Sequence, residues 1–416
     1  MIRKPSATVL LFLIVLFELS AFGLLSFRNE QIDYNALLVG GLCVVLFIFQ
    51  YVVITRFFPS AERYILIIAN LLSAIGTITL YRLNPEIAYK QVIFMAIGMV
   101  AMVVAMVAFK AVKSWQKKKL MYALMALAIA LLLSSLVLGR AVNGATNWIA
   151  FGGFSVQPSE FVKIILVVVL AAWFGMERTW IQLTPIVGFV GVCMVLLLLQ
   201  RDLGACVMYA LAFLILLFVG TNRWKLTLAS LLAFGGGAVV AYHLFDHVKV
   251  RVLVWQDPWK VYADSGFQIA QGLMAIASGG LWGMGLSLGS PRSIPEHVSD
   301  YIFAAICEEF GIIFGLAMIA LYVVFIVRGA LIAMNARTPF NMLVALGCTS
   351  MISVQSFVIM GGVIKLIPLT GVTLPFVSYG GSSMLSSFIL VGILQSISVM
   401  NSESDQRLLK QLKTSG

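Results

Sequence analysis

The chain has 416 residues, of which 61% are hydrophobic and 11% charged, and its formal net charge at neutral pH is +11. This composition excludes an ordinary soluble domain and indicates a polytopic membrane protein. The positive charge does not indicate nucleic-acid binding, because it is concentrated in particular segments between apolar runs.

Apolar runs recur along almost the whole chain, and about 20 apolar residues suffice to span a bilayer as a helix. Twelve such runs cover residues 8–27, 35–55, 63–82, 90–109, 118–138, 158–175, 182–199, 203–220, 226–245, 303–328, 340–362 and 375–400. The runs at 158–175 and 182–199 are the weakest. Because an isolated sheet cannot satisfy its backbone in lipid, the sequence predicts an all-α polytopic membrane protein with about twelve transmembrane helices.

The basic residues set the expected orientation. If the N-terminus is cytoplasmic, most of the 28 Lys and Arg fall in inner segments. This asymmetry follows the positive-inside rule and predicts that both termini are cytoplasmic and that the long 246–302 loop is extracytoplasmic. All five cysteines lie in apolar runs, so neither a disulfide framework nor a metal site is predicted. No cofactor is expected.

Three charged residues within apolar runs stand out in the first half of the chain. Glu18 lies in the middle of the first run, where an acid is a functional candidate or a hydrogen-bonding partner for a neighbouring helix. Glu160 and Lys163 follow a stretch in which Gly, Asn and Thr break the helix, and their spacing places them on one helix face. They form either a structural ion pair or the wall of a polar cavity that meets an anionic ligand.

Three later stretches carry further polar residues. Asp202 lies at the junction of two apolar runs, in a tight outer turn or at a cavity mouth. Glu308 and Glu309 point in different directions on a helix, so at most one is expected to enter the bundle interior. Residues 365–385 contain two prolines and a Gly pair. Irregular backbone at membrane depth requires surrounding protein or a cavity, so this stretch is expected to line the same cavity as Glu160 and Lys163.

The 246–302 loop is the one long stretch between apolar runs that mixes acids, bases and tryptophans with a Gly-rich run. Loops of this size are usually functional or disordered, and the aromatic and apolar content argues against disorder. We expect a partly ordered lid that carries the chemistry.

Seven motifs, read in order, identify a family resemblance. They are NGATNWIAFGGFSVQPSEFVK, QRDLG, VWQDPW, SGFQIAQ, GGLWGMGLSLGS, PEHVSDYIFAAICEEFG and LTGVTLPFVSYGGSS. The chain resembles the SEDS proteins of bacterial growth, division and sporulation: FtsW, RodA and SpoVE. That family usually has ten spans, so residues 1–62 look like an added helix pair before a membrane domain at 63–400 and a cytoplasmic tail at 401–416.

The resemblance implies a peptidoglycan glycosyltransferase of the bacterial cytoplasmic membrane that polymerises lipid II at the outer face. It implies a class B penicillin-binding protein, a transpeptidase, as partner. In this reaction a sugar hydroxyl attacks the anomeric carbon of the growing strand and undecaprenyl pyrophosphate leaves. The reaction needs a base for the hydroxyl and cations for the pyrophosphate.

The site residues implied by the resemblance come from the matching motifs. The substrate-binding candidates are Arg140, Glu160, Lys163, Asp202, His297 and Asp300. Asp300 also suits the N-cap of the following helix. The family's usual catalytic Asp position holds Val261, which cannot accept a proton. Asp257, stiffened by the following proline, is therefore the first candidate for the base and Asp264 the second.

Two other functions are compatible with these features. A polar cavity within twelve helices suits a flippase or transporter of lipid-linked precursor, and a non-catalytic scaffold would activate a penicillin-binding protein. Charges on facing cavity walls without an outward carboxylate favour transport. An Asp carried over the cavity by the long loop favours polymerisation.

Overall fold

The computed structural model describes residues 6–27, 32–112, 114–142, 145–151, 154–176 and 181–414. These residues form fourteen α-helices and three short strands. The elements are α1 (Ala7–Ser26), α2 (Tyr34–Phe57), α3 (Arg63–Leu83), α4 (Pro85–Ala111), α5 (Lys118–Leu138), β1 (Arg140–Val142), β2 (Ala145–Phe151), β3 (Phe154–Val156), α6 (Pro158–Phe174), α7 (Thr184–Leu199), α8 (Leu203–Thr221), α9 (Trp224–Leu244), α10 (Asp246–Gln256), α11 (Phe267–Gly279), α12 (Ile302–Met334), α13 (Pro339–Val363) and α14 (Gly381–Thr414).

The all-α polytopic class is confirmed. Among the described residues, 10 helices are long and apolar enough to cross a membrane: α1 to α5, α8, α9 and α12 to α14. The two weakest apolar runs of the sequence correspond to α6, with 17 residues, and α7, with 16. Because α6 and α7 are shorter than the ten span-length helices, the total of twelve spans stays a prediction.

A small antiparallel sheet replaces the simple helix break expected between α5 and α6. Its strand order is β1-β2-β3, with Arg140 opposite Trp148 and Ile149 opposite Val156. Isoleucine, valine and aromatic residues favour strands, and Pro158 then starts α6 at a position where a missing N–H costs nothing. The last strand of the sheet therefore leads directly into the first turn of α6.

The chain divides into two compact units, described separately below. Unit 1 comprises Met1–Val107, Gln271–Arg328 and Thr373–Gly416, and unit 2 comprises Ala108–Ala270 and Gly329–Val372. The long loop is thus shared between the units. It contains α10 and α11, so much of it is helical.

Helix α6 forms the centre of unit 2. It packs against α5, α8 and α13, and fourteen of its side chains are buried. A helix that is apolar on all sides belongs in an interior. At Gly347 of α13 an added Cβ would lie 2.6 Å from the Val167 side chain, so this glycine permits close helix packing.

Unit 1 contains α1 and α2, the two helices of residues 1–62. α1 packs against α2 and α3, and Glu18 is fully buried on α1 beside the thiol of Cys43 on α2. The carboxyl oxygens of Glu18 make no hydrogen bond to a nitrogen or oxygen of the described residues. Its contact with Cys43 agrees with the structural alternative, a hydrogen-bonding partner on the neighbouring helix.

Helix α12 of unit 1 is interrupted at Gly311, whose φ of 87° lies in the region that favours glycine. A neighbouring segment completes the broken hydrogen bonding. Met284 and Gly285 donate their N–H groups to the carbonyls of Glu308 and Glu309, both at 2.9 Å. Both glutamate side chains are buried, at 5% and 3% exposure. The expectation that at most one of the two glutamates would enter the interior is wrong. The segment that contains Met284 and Gly285 packs on the helix at this point and buries the glutamate that would otherwise be exposed.

Candidate functional site

Asp202 is the centre of a polar cluster in unit 2. Its Oδ1 accepts a hydrogen bond from the Ala205 N–H at 3.0 Å and so caps α8. Its Oδ2 accepts from Asn147 Nδ2 at 3.1 Å, Gln157 Nε2 at 2.9 Å and Ser159 Oγ at 3.0 Å. The side chain is 5% exposed. Four donors satisfy this buried carboxylate, which lies in the tight turn between α7 and α8.

Glu160 and Lys163 form the second cluster of unit 2. Lys163 Nζ lies 2.5 Å from Glu160 Oε2 and donates to Gln355 Oε1 of α13 at 2.8 Å. The lysine is 1% exposed and therefore faces protein rather than lipid. A buried charge needs such partners, because burying an isolated one is expensive.

The first turn of α6 joins the two clusters. Ser159 donates to Asp202, and the next residue, Glu160, pairs with Lys163. The Tyr209 hydroxyl donates to the Ser159 carbonyl at 2.6 Å, which ties this turn to α8. The three charged residues taken from the sequence therefore gather around one helical turn.

Helix α10 carries the Asp257 segment and is fastened to the stretch after α13. Arg251 Nη1 donates to the Leu369 carbonyl at 2.8 Å, and Trp255 Nε1 donates to the Lys365 carbonyl at 3.1 Å. Lys365 Nζ in turn donates to the Gln256 carbonyl at 3.2 Å. Three side-chain bonds between segments more than a hundred residues apart fix the position of α10 within unit 2.

The same stretch continues to the cluster around Asp202. An added Cβ on Gly204, in the first turn of α8, would lie 2.1 Å from a Val372 methyl and 3.2 Å from the Thr370 carbonyl. Residues 370–372 therefore pack against the helix start that Asp202 caps. A continuous series of contacts links α10, the 365–372 stretch and the first turns of α8 and α6.

Asp257 ends α10 and is partly exposed. Its Oδ1 accepts the Trp259 N–H at 3.2 Å, and its Oδ2 lies 3.4 Å from Lys260 Nζ. Desolvation raises the pKa of this carboxyl, but the side-chain and backbone hydrogen bonds of Lys260 outweigh it and leave the pKa below its ordinary value. The carboxylate is therefore ionised at neutral pH and able to accept a proton.

Asp264 and Val261 lie in the turn that follows. Asp264 is exposed, and its N–H donates to the Val261 carbonyl at 3.1 Å. The Gly266 N–H donates to the same carbonyl at 2.9 Å, and an added Cβ at Gly266 would lie 2.1 Å from the Pro258 carbonyl. The turn is closed tightly by this glycine, so residues 258–266 have a defined shape.

Aromatic rings lie in the same turn, and basic residues approach α10. The Trp259 ring stacks on Tyr262 at 6.2 Å and is 54% exposed. Burial, followed by the nearby charges of Arg201 and Arg251, lowers the pKa of His247 on α10. The approach of Arg201 and Arg251 to His247 depends on the folded position of α10 and could not be predicted from the sequence.

The remaining sequence-derived candidates lie elsewhere. Arg140 pairs through its backbone with Trp148 in the small sheet, and its side chain is outside the described part of the structure. His297 and Asp300 belong to unit 1. His297 Nδ1 lies 2.8 Å from the Ile294 carbonyl, and Asp300 is half-buried two residues before α12.

His297 lines a cavity of about 510 Å³ in unit 1. The lining residues are Leu83, Asn84, Pro85, Ile87, Arg292, His297 and Val298. Arg292 donates from Nε and Nη2 to the Leu83 carbonyl, at 3.1 and 2.8 Å. Sequence reasoning missed Arg292, for which the only signal is a lone basic residue between two motifs.

A buried ion pair beneath this region was also missed. Arg82 Nε of α3 donates to Glu309 Oε1 at 3.0 Å, and its Nη2 donates to the Gly289 carbonyl at 3.0 Å. Glu308 Oε1 accepts the Ser290 N–H at 2.8 Å. These bonds attach the Gly-rich motif to α3 and α12.

The 365–385 stretch is divided between the units after Val372. Its second part is held in unit 1: Tyr322 donates to the Pro375 carbonyl at 2.7 Å, and Gln91 Nε2 donates to the Ser378 carbonyl at 3.0 Å. Only the first part contacts the Asp202 neighbourhood within unit 2. Among the described residues, no group of three metal-ligating side chains is gathered.

Comparisons with known proteins point to one family. The family model FtsW/RodA/SpoVE, described as cell cycle protein, matches residues 60–403. Peptidoglycan glycosyltransferase RodA of Mycobacterium leprae is 33% identical over 379 residues, which cover 85% of this chain and 81% of the relative. Stage V sporulation protein E of Bacillus subtilis is 33% identical over 362 residues, covering 82% and 97%.

Solved structures share the fold. A chain from a peptidoglycan synthase complex that coordinates polymerization and crosslinking matches with a TM-score of 0.70 and 24% identity, covering 82% of this chain and 98% of its own. Thermus thermophilus RodA matches with a TM-score of 0.60 and 22% identity, covering 81% and 96%.

Proposed function

The chain belongs to the FtsW/RodA/SpoVE family of cell cycle proteins, and from this premise we propose that it is a peptidoglycan glycosyltransferase that polymerises lipid II into glycan strands. It is a multi-pass protein of the cell membrane. The proposed orientation has both termini in the cytoplasm and the 246–302 loop outside, in agreement with the distribution of basic residues.

The observation that carries the proposal is the attachment of α10 within unit 2. Trp255 and Arg251 bond the helix to residues 365–369, whose continuation packs at the start of α8 beside Asp202. These bonds hold α10, and a general base needs a carboxylate on a segment whose position is fixed in this way. This arrangement favours polymerisation over transport.

We assign the general base to Asp257. The acceptor sugar hydroxyl gives its proton to the carboxylate as its oxygen attacks the anomeric carbon, and the bond to undecaprenyl pyrophosphate breaks. The exposed rings of Trp259 and Tyr262 would stack on sugar faces. Lys260, which pairs with Asp257 across 3.4 Å at the surface, is readily displaced by a substrate hydroxyl, because exposed ion pairs contribute little.

Cations for the leaving pyrophosphate come from the same part of unit 2. Arg201 and Arg251 lie close enough to His247 to lower its pKa, and positive charge aimed at a developing anion is the usual means of stabilising such a transition state. Lys163 is already bonded to Glu160 and Gln355, so we assign this pair to positioning the first turn of α6. Arg140, His297 and Asp300 remain proposed substrate contacts on the family resemblance.

The test is polymerisation of purified lipid II, with the protein alone and with a co-expressed class B penicillin-binding protein, the proposed partner. Glycan strands made by the wild-type protein and lost in Asp257→Ala support the proposal. Polymer that persists in Asp257→Ala at the wild-type rate overturns the assignment of the base. Absence of polymer in both conditions, with lipid II moving across vesicle bilayers, would establish the transporter instead.

A further inference from the structure

Unit 2 contains a second cavity, separate from the polar cluster around Asp202. Its volume is about 710 Å³, within the range of small-molecule sites. The lining residues are Trp173, Phe174, Gly175, Met176, Gln182, Leu183, Gly220, Thr221, Arg223 and Pro339. None of these residues takes part in the proposed glycosyl transfer.

The cavity lies where five helices begin or end. α6 ends at Phe174 and α8 at Thr221, while α7, α9 and α13 begin at Thr184, Trp224 and Pro339. In the proposed orientation these ends face the cytoplasm, opposite the α10 segment. The cavity is therefore at the level of the inner lipid headgroups, where Arg and Lys concentrate.

The lining favours an anion. Arg223 is half-buried in the wall, and no described lining residue is acidic. Arg223 is also the N-cap of α9, and its side chain forms no capping hydrogen bond. Helix starts without a side-chain cap offer N–H donors and a positive dipole end to a phosphate.

The rest of the wall favours a lipid that also carries hydroxyl donors. α6 and α8 end at the cavity, and the last carbonyls of a helix lack partners within the helix. Trp173, in the last turn of α6, ties this helix end to the segment before α7, because its indole N–H donates to the Gln182 carbonyl at 2.9 Å. Phe174 and Leu183 add an apolar surface suited to the start of an acyl chain.

We propose that this cavity binds the headgroup of an anionic glycerophospholipid of the inner leaflet, with Arg223 on the phosphodiester and headgroup hydroxyls donating to the ends of α6 and α8. Phosphatidylglycerol has this combination of one phosphodiester and free hydroxyls. Basic pockets between transmembrane helices at the cytoplasmic side are a general form of lipid site.

The test is native mass spectrometry of the intact purified protein titrated with phosphatidylglycerol or phosphatidylcholine. Lys225 supplies a matched control, since it is exposed, carries the same charge two residues away and does not line the cavity. We expect preferential retention of phosphatidylglycerol. Arg223→Gln should lower its apparent affinity on the order of tenfold, the loss expected for one charge-assisted hydrogen bond, and Lys225→Gln should change it little.

Three results would overturn the proposal: equal binding of phosphatidylcholine, equal losses in the two variants, or displacement of phosphatidylglycerol by undecaprenyl pyrophosphate at matched concentration. The last would assign the cavity to the polyprenyl substrate. Arg223→Lys, which keeps the charge, should restore at least part of the affinity. Thermal unfolding of each lipid-free variant shows whether the variant is folded. A variant that unfolds like the wild type but binds less lipid has lost binding rather than folding.

Discussion

Arg82 of α3 and Glu309 of α12 form an ion pair, with Nε 3.0 Å from Oε1, at 5% and 2% side-chain exposure. The two residues are 227 positions apart in the chain. The pair holds the Gly-rich segment against the broken helix, since Arg82 also donates to the Gly289 carbonyl. A buried pair of this kind fixes geometry more than it adds stability, and removing one partner leaves an uncompensated charge.

We therefore expect Arg82→Met to destabilise unit 1 by about 3–5 kcal/mol. Arg328 and Glu62, 3.7 Å apart and partly exposed at 23% and 25%, provide the comparison within the same unit. Arg328→Gln should cost at most about 1 kcal/mol. Thermal unfolding of the purified proteins in detergent measures both, and a larger loss for Arg328→Gln would contradict the ranking.

Glu160 and Lys163 predict a strong coupling in polymerisation assays. Each single change, Glu160→Gln or Lys163→Gln, leaves one buried charge without its counter-ion, so both activity and stability should fall. The double change removes both charges and should lose less than the sum of the singles. Additive losses in this cycle would show that Lys163 acts on substrate independently of Glu160.

The orientation is tested with introduced cysteines and a membrane-impermeant maleimide added to intact cells. Ser265, between α10 and α11, should be modified when replaced by Cys. Ser114, between α4 and α5, should be modified only after the membrane is opened. The five native cysteines are largely buried, which limits the background. Labelling of the Cys at 114 but not at 265 in intact cells would reverse the proposed topology.

Local sequence patterns predicted most of the helices and part of the candidate site. Apolar runs predicted the positions of the ten span-length helices and of the shorter α6 and α7, and the three-residue spacing of Glu160 and Lys163 predicted a shared helix face. Both depend on neighbours in sequence. The family motifs also singled out Asp202 before its partners were known.

Contacts between segments that are distant in the chain could not be predicted from the sequence. Asn147 reaches Asp202 only because a small sheet turns the chain back before α6. The interruption of α12 at Gly311 is accompanied by hydrogen bonds from the N–H groups of residues 284 and 285. The hydrophobic periodicity of α12 does not indicate these bonds. Glu308 and Glu309 were misassigned for this reason. Residues become neighbours through backbone bonds whose partners no local pattern identifies.

Substitutions in the long loop test the assignment of the general base. Val261 cannot accept a proton, whereas Asp257 is ionised, lies next to exposed aromatic rings and sits on a helix fixed by Trp255. Asp257→Ala should reduce the polymerisation rate by about 10²–10⁴-fold, the usual contribution of general-base catalysis, with normal expression. Asp264→Ala should have a mild effect, because that residue is exposed in the following turn. The reverse ranking would transfer the role to Asp264. Activity gained only in Val261→Asp would identify a family member that does not polymerise.

The pH dependence provides an independent check on Asp257. Its pKa is lowered by Lys260, so the ionised, proton-accepting form persists below the ordinary Asp pKa and is lost only as pH falls through the lowered value. Lys260→Gln removes the side-chain contribution and should move the acid limb of the pH–activity profile to higher pH. Asp246 and Lys249 form a similar exposed pair at 2.9 Å on α10, and the pKa of Asp246 is lowered in the same way. Lys249→Gln is therefore the matched control, and it should leave the acid limb in place. If both variants shift the limb equally, the titrating group is not Asp257, and the shift reflects the general charge of the loop.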